Sequence, residues 1–187
     1  MTDPQPADPS RWFRIEAQPE YTPHIGALVQ MMSYARMTTL QAVEDIPDEE
    51  LDSLPAGFSN SIGMLLAHIA ALDRLYHLFS FRGVNPYAAT EFTPFRGAMS
   101  FGKRGERVTG RTLKELLSEL EHSRAVTLHE LTQRDDTWLL GILTGWDDFH
   151  PNHYWAWFHV MEDELSHRGQ IRVLRKALKR QREAAAE

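Results

Sequence analysis

Three polar side chains occupy positions where helical periodicity calls for apolar residues. His68 lies three residues after Leu65 and four before Leu72, in the middle of one apolar face. Asp163 and His167 interrupt a second apolar face, one helical turn apart. A carboxylate is costly to bury unless it is paired or bound to a metal, and side chains at i and i+4 project together. Two imidazoles and one carboxylate suit Zn(II), Ni(II) or Fe(II), with positions left for water or a substrate.

Other arrangements of these residues stay open. Asp163 and His167 could form a hydrogen-bonded pair without a metal, and His159 or Glu164 could join or replace Asp163 as a ligand. Glu164 and His167 also match the E-x-x-H spacing of di-iron bundles. Such a centre needs a second E-x-x-H motif and further carboxylates, and the second predicted helix offers only Asp73. We therefore do not expect a di-iron site.

A fourth polar residue in an apolar stripe is Arg124, which lies between Leu120 and Leu128. One interpretation is structural: the stem packs in the core and the guanidinium reaches solvent or pairs with Asp163. The other is functional: the guanidinium anchors an anionic substrate beside a metal. The sequence leaves both interpretations open.

These side chains must be positioned by helices, because no segment alternates well enough to predict a strand. The sequence predicts an all-α fold, a four-helix bundle whose long connection crosses over between helices 2 and 3. That connection, at about residues 82–110, is marked by glycines and prolines, among them Gly83, Pro86, Pro94, Gly97, Gly102 and Gly105. The four helices are expected at about residues 23–44, 60–81, 111–135 and 152–181.

Length and composition indicate one domain. The chain has 187 residues, of which 42% are hydrophobic, enough for one core but cramped for two full domains. Residues 1–20 are rich in proline and polar side chains, so we expect a flexible arm there. Residues 21–182 should form the bundle and residues 183–187 a short tail.

Composition also excludes several classes of function. The absence of cysteine excludes disulfides, thiolate-zinc sites and a cysteine nucleophile. Polar residues interrupt every apolar stretch, and the N-terminal segment does not resemble a signal peptide, so we expect a cytoplasmic protein without a membrane span. The net charge of −6 argues against nucleic-acid binding. The seven basic residues between Arg168 and Arg182 are typical of a solvated helix end.

A second apolar strip on the last predicted helix bears on partners. Phe158, Met161 and Leu165 lie opposite the face that carries Asp163 and His167. A strip that the bundle cannot bury indicates a homodimer. The alternative is that the long middle loop covers it.

Two segments resemble the DinB-like superfamily of metal-binding four-helix bundles, which includes the YfiT-like hydrolases. They are NSIGMLLAHIAALDRLY, from residue 60, and HVMEDELSHRGQIRVLRK, from residue 159. The run of histidine, Arg, Gly, Gln and Ile from His167 is the most specific part. The resemblance implies that His68 and His167 bind a divalent metal. It places Asp163 where most members have histidine, although members similar to the mycothiol-dependent isomerases carry a carboxylate there.

The resemblance also implies a reaction. Relatives use one divalent ion, here Zn or Ni or else Fe(II), to bind a low-molecular-weight thiol such as mycothiol or bacillithiol and to transfer it to or from an electrophile. Because the chain has no cysteine, the thiol must arrive as a co-substrate. Hydrolysis by metal-bound water is the second option, with Glu164, or Asp163 when unligated, as base and Arg124 as substrate anchor. A non-catalytic metal-binding protein of the stress response, or a dimeric interaction protein, is the alternative.

Overall fold

Four long helices form the frame of the molecule: α1 (Pro23–Val43), α3 (Ile62–Tyr76), α5 (Leu113–Thr132) and α7 (His153–Ala185). The computed structural model describes residues 9–100, 108–144 and 150–185. Three short helices accompany the frame: α2 (Asp48–Leu51), α4 (Arg96–Met99) and α6 (Asp136–Leu140). No strand occurs within the described ranges. The predicted all-α bundle is confirmed, and no predicted end of a long helix differs from the observed one by more than five residues.

Local capping side chains begin α3 and α5, and at the start of α7 Asn152 Oδ1 likewise accepts from the backbone N–H of Trp155. Ser61 Oγ accepts a hydrogen bond from the backbone N–H of Met64 at the start of α3. At the start of α5, Thr112 and Glu115 form a reciprocal capping box. These side chains satisfy N–H groups that have no partner inside the first turn of a helix. Each of these caps depends only on residues that are close in sequence.

The first helix, by contrast, is capped from a distant part of the chain. Asp136 Oδ1 in α6 lies 3.1 and 3.2 Å from the backbone nitrogens of His24 and Ile25, which donate to it. The hydroxyl of Thr22 donates to the same oxygen. Burial raises the pKa of Asp136, but these hydrogen bonds outweigh it and the pKa lies below its ordinary value. The carboxylate therefore stabilises the N-terminus of α1.

We expect Asp136→Ala to lower the free energy of unfolding at pH 7 by about 1 kcal/mol, the usual cost of losing a helix cap. Since the folded-state pKa is below the unfolded one, the contribution is complete above about pH 4 and is lost as pH falls through the folded pKa. The difference between wild type and variant, measured by urea unfolding, should therefore shrink at low pH. Glu121→Ala, an exposed change on α5, is the control and should cost little at either pH. Equal stability of Asp136→Ala and wild type at pH 7 would contradict the cap.

The third helix is the central element of the bundle. It continues beyond Tyr76 as a turn of π-helix, His77–Phe81. The whole segment Ile62–Phe81 is long and apolar enough to cross a membrane, but 78% of an apolar 18-residue stretch within it is buried inside the bundle. It packs against α5 on one side and α7 on another. Ser80 Oγ, 2.8 Å from Nδ1 of His153, ties its end to the start of α7, so the two helices run antiparallel.

The core consists of two apolar clusters at different heights of the bundle. The α2-side cluster includes Leu51, Leu65, Leu120, Ile171 and Leu174. The α6-side cluster includes Leu28, Met32, Leu139, Trp157 and Val160. All four long helices contribute to this divided core, and the layer between the two clusters is where buried polar groups gather.

Both ends of the chain are partly described. Within the expected arm, residues 9–13 form a 3-10 turn. Gln30 of α1 donates to the carbonyl of Arg11 and accepts from the backbone N–H of Glu16, so this stretch lies along α1. Residues 1–8 lie outside the described ranges. At the other end, α7 continues to Ala185, through much of the expected tail.

Candidate metal centre

The structure brings together the three residues that interrupt the apolar stripes. Nε2 of His68, from α3, lies 3.5 Å from Oδ2 of Asp163. Nε2 of His167 lies 3.2 Å from Oδ1 of the same carboxylate. One potential ligand atom from each residue falls within 4.8 Å of the other two. This separation allows a single ion to contact all three side chains, so we refer to the group as the His-Asp-His cluster.

A backbone contact sets the orientation and tautomer of His68. Its Nδ1 lies 3.0 Å from the carbonyl oxygen of Ala98, in α4 of the long connection. A carbonyl only accepts hydrogen bonds, so Nδ1 carries the proton and the Nε2 of a neutral ring presents a lone pair toward Asp163. Nε2 and the carboxylate oxygen can share either a proton or a metal ion, and both favour this short separation. The donor set therefore fits a divalent ion, and the Ala98 contact is the kind of outer-shell bond that metal-binding histidines make.

The electrostatics of the site keep Asp163 ionised. Burial raises its pKa, but hydrogen bonds and charges from His167 and His68 outweigh burial, and the pKa lies well below its ordinary value. Tyr76, buried two turns after His68 on α3, has a raised pKa because of burial and, secondly, the charge of Asp163. At neutral pH the site thus presents a carboxylate next to a protonated phenol.

His159, the alternative ligand, is not part of the His-Asp-His cluster. It lies one turn before Asp163 on α7, where its Nδ1 is 3.2 Å from Oε2 of Glu162. Its ring stacks on Trp155 with centroids 5.2 Å apart. The rings of His159 and Tyr76 meet edge to face, with centroids 5.9 Å apart.

Glu164, the other alternative ligand and the candidate base, lies in a different set of contacts. Its oxygens are 2.7 Å from Nε of Arg36 and 2.8 Å from Nη2 of Arg124. Asp73 Oδ2 is 3.3 Å from Nη2 of Arg36 and 3.1 Å from Nη2 of Arg124. We call Arg36, Asp73, Arg124 and Glu164 the charge quartet; each of the four long helices supplies one member.

The charge quartet is electrically neutral and buried. Asp73 and Glu164 have no exposed surface. Burial raises the pKa of Glu164, but Arg124 and Arg36 outweigh it and the pKa is lowered. Burial lowers the pKa of Arg124, but the charges of Asp73 and Glu164 outweigh burial, and the pKa lies above its ordinary value. Glu164 and Arg124 are therefore charged in the folded protein, and pairing within the quartet offsets the cost of burying these groups.

Sequence reasoning located two members of the quartet but not their partners. Arg124 pairs with Asp73 and Glu164, whereas the structural interpretation of the sequence paired it with Asp163. Arg36 was missed, although it follows Met32 by four residues on the apolar stripe of α1. Its guanidinium also donates to the carbonyl of Leu120 in α5.

The apolar strip and the basic run of α7 are partly occupied within the chain. Phe158 is 46% exposed, but Met161 is buried and Leu165 packs against the α6-side cluster. In the basic run, Arg175 donates to the carbonyl of Ala42, and Arg168 to the hydroxyl of Thr38. Part of the apolar strip and part of the basic run therefore contact other residues of the bundle.

Comparison with known proteins adds a family and a fold. The family model described as mycothiol-S-transferase matches residues 27–180. A solved structure, a conserved protein of Enterococcus faecalis, superposes with a TM-score of 0.61. It is 16% identical and the match covers 80% of this chain and 94% of that one, so it shows the shared fold. No curated protein matches the sequence.

Proposed function

Because the chain belongs to the mycothiol-S-transferase family, within the DinB/YfiT-like superfamily, we propose that it is a metal-dependent enzyme acting on a low-molecular-weight thiol. The thiol is of the mycothiol or bacillithiol type, and the reaction transfers it to or from an electrophile. The observation that carries the proposal is the His-Asp-His cluster, whose three potential ligand atoms lie within 4.8 Å of one another.

Each residue of the cluster has a distinct part in this proposal. His68 and His167 would hold the ion through nitrogen and Asp163 through a carboxylate oxygen, a set that suits Zn(II) or Ni(II), and Fe(II) as well. A divalent ion with an open position lowers the pKa of a bound thiol or water. The Ala98 carbonyl orients the His68 ring for this task. The low pKa of Asp163 keeps its oxygens free of protons at neutral pH.

For Arg124 and Glu164 we propose positioning roles in place of the anchor and base roles that the sequence suggested. Both oxygens of Glu164 already accept from guanidinium groups, and its side chain is fully buried. A general base needs a lone pair within reach of the substrate proton. The ion pairs with Arg36 and Arg124 support a structural role for Glu164, directly beside Asp163 in the chain.

Two experiments in sequence test the proposal. Untagged protein purified without chelators or metal resin is first analysed for Zn, Ni and Fe, and about one ion per chain is expected. Metal-loaded protein is then incubated with mycothiol or bacillithiol and monochlorobimane. Transfer forms a carbon–sulfur bond, breaks the carbon–chlorine bond and releases chloride, while the thiol proton passes to the buffer; the fluorescent thioether is measured.

The outcomes separate the proposed function from its alternatives. Metal-dependent thioether formation above the uncatalysed rate supports a transferase. Bound metal with ester or amide hydrolysis, but no thiol transfer, would favour a metal-dependent hydrolase. Bound metal without either activity would favour a non-catalytic metal-binding protein of the stress response or an interaction protein. Protein that cannot be loaded with any of the three metals would refute the enzymatic reading.

Cytoplasmic location and homodimerisation stay predictions. Light scattering measures whether the protein is a dimer.

A further inference from the structure

A second cavity lies on the side of α3 that faces away from the metal centre. Its volume is about 370 Å³, and Arg74, His77 and Arg82 line it together with Glu91, Phe92 and Phe95. At about 100° of rotation per residue, the shorter angle around the helix from His68 is about 120° for Arg74 and about 180° for His77. A ligand in this cavity would therefore not contact the His-Asp-His cluster.

Two buried polar atoms in the walls of the cavity have no hydrogen-bond partner among the described residues. They are Nε of Arg74 and Nδ1 of His77. Buried polar atoms in folded proteins are nearly always bonded to protein, water or a ligand. Both belong to residues that line the same space, but neither atom is itself accessible to water, so a ligand there would contact other atoms of these side chains.

The cavity carries an excess of positive charge. Neither Arg74 nor Arg82 forms an ion pair with a carboxylate in the described part of the chain, and Glu91 is the one acidic residue in the lining. Burial lowers the pKa of His77, and Arg74 and Arg82 lower it further against the opposing charges of Glu130 and Glu91. The ring is therefore neutral at pH 7, and two guanidinium groups against one carboxylate leave a net charge of +1.

One wall of the cavity is aromatic. The guanidinium carbon of Arg74 lies 5.9 Å from the ring centroid of Phe95. The rings of Phe92 and Phe95 lie nearly parallel, with centroids 5.9 Å apart. A neighbouring cavity of about 370 Å³ shares Arg82 and Glu91, which extends the available space. A cationic end and an apolar wall together match a ligand with an anionic head and an apolar body.

We propose that this cavity binds a small organic carboxylate with an apolar or aromatic body. A single negative charge complements the net +1 of the lining, and a carboxylate accepts two parallel hydrogen bonds from a guanidinium. Arg74 is the main contact to the head group, Arg82 the second, and Phe95 contacts the body. The site is independent of the metal and of thiol transfer.

The proposal is tested by calorimetric titration of the whole chain with phenylacetate, acetate and inorganic phosphate. We expect saturable phenylacetate binding, weaker binding of acetate, and the same affinity in metal-loaded and chelator-treated protein. Arg74→Gln should weaken phenylacetate binding at least tenfold. Arg172→Gln, which removes one exposed positive charge from α7, is the matched control and should bind like wild type.

Several results would overturn the inference. One is the absence of saturable phenylacetate binding to wild type, and another is binding that is lost in His68→Ala but kept in Arg74→Gln. Phosphate binding that depends on Arg74, without carboxylate binding, would refute the ligand class. If Arg74→Gln does not fold, as judged by circular dichroism, Arg82→Gln replaces it and should weaken binding severalfold. Carboxylate binding is measured without metal or thiol. A negative result would therefore not contradict the proposed thiol transfer, and a failure of thiol transfer would not contradict carboxylate binding.

Discussion

Replacing His68 or His167 by alanine is expected to reduce the affinity for Zn(II) by about 10² to 10³. A structural zinc site supplies on the order of 10–16 kcal/mol from about four ligands, so one ligand accounts for several kcal/mol. Both imidazoles lie at the Asp163 carboxylate, at 3.5 and 3.2 Å. Loss of either leaves two protein ligands, too few for a stable site. Elemental analysis and competition with a chromogenic chelator measure the effect.

The matched control for these variants is His159→Ala. His159 lies one turn before Asp163 on the same helix, but its imidazole contacts Glu162 and Trp155. We expect this variant to keep the metal of the wild type. Full metal occupancy in His68→Ala would show that the ion, if bound, is held elsewhere. Loss of metal in His159→Ala would indicate that His159 is a ligand, which is the alternative that the sequence left open.

The second large effect concerns the charge quartet. Removing one member, as in Arg124→Met or Glu164→Gln, is expected to lower the free energy of unfolding by about 3–5 kcal/mol, because a buried charge is left without compensation. Glu164 and Asp73 have no exposed surface, so water cannot replace a lost partner. Urea unfolding followed by circular dichroism measures the loss. Glu183→Gln, which breaks the exposed ion pair with Lys179, should cost less than about 1 kcal/mol.

A double substitution tests whether the loss comes from the unpaired charge. Arg124→Met with Glu164→Gln removes one charge of each sign and leaves Arg36 with Asp73, which are 3.3 Å apart. We expect the double variant to be destabilised by clearly less than the sum of the two single changes, since a coupled pair is removed together. Additive losses, or single losses below about 1 kcal/mol, would contradict a tightly paired buried quartet.

The quartet variants also distinguish positioning from catalysis. Arg36 was not a candidate for catalysis, yet it shares Glu164 with Arg124. If the quartet only positions α7, folded Arg36→Met and Glu164→Gln should lose metal affinity and activity to similar extents. If Glu164 is the base, Glu164→Gln should lose activity while Arg36→Met keeps most of it and both keep the metal. Comparing metal affinity with turnover number in the two variants decides between these roles.

Much of the fold follows from relations between residues close in sequence. The starts of α3 and α5 lie within two residues of their predicted positions, and Ser61 and Thr112 there cap N–H groups three residues away. His68, Asp163 and His167 stand out because each interrupts an apolar face whose spacing is set by the helix itself. The i and i+4 spacing of Asp163 and His167 places them on one face before any tertiary contact is known. Such features depend on helical geometry alone.

Only the tertiary structure decided which distant groups are partners. Asp136 caps a helix that begins more than a hundred residues earlier, and Ala98 contacts His68 from the long connection. The sequence shows Arg124 on an apolar stripe and Glu164 beside Asp163, but their pairing with each other and with Asp73 requires helices at set heights and rotations. Periodicity determines the face on which a side chain lies. Packing between helices determines what it meets there, and hence which charges are compensated.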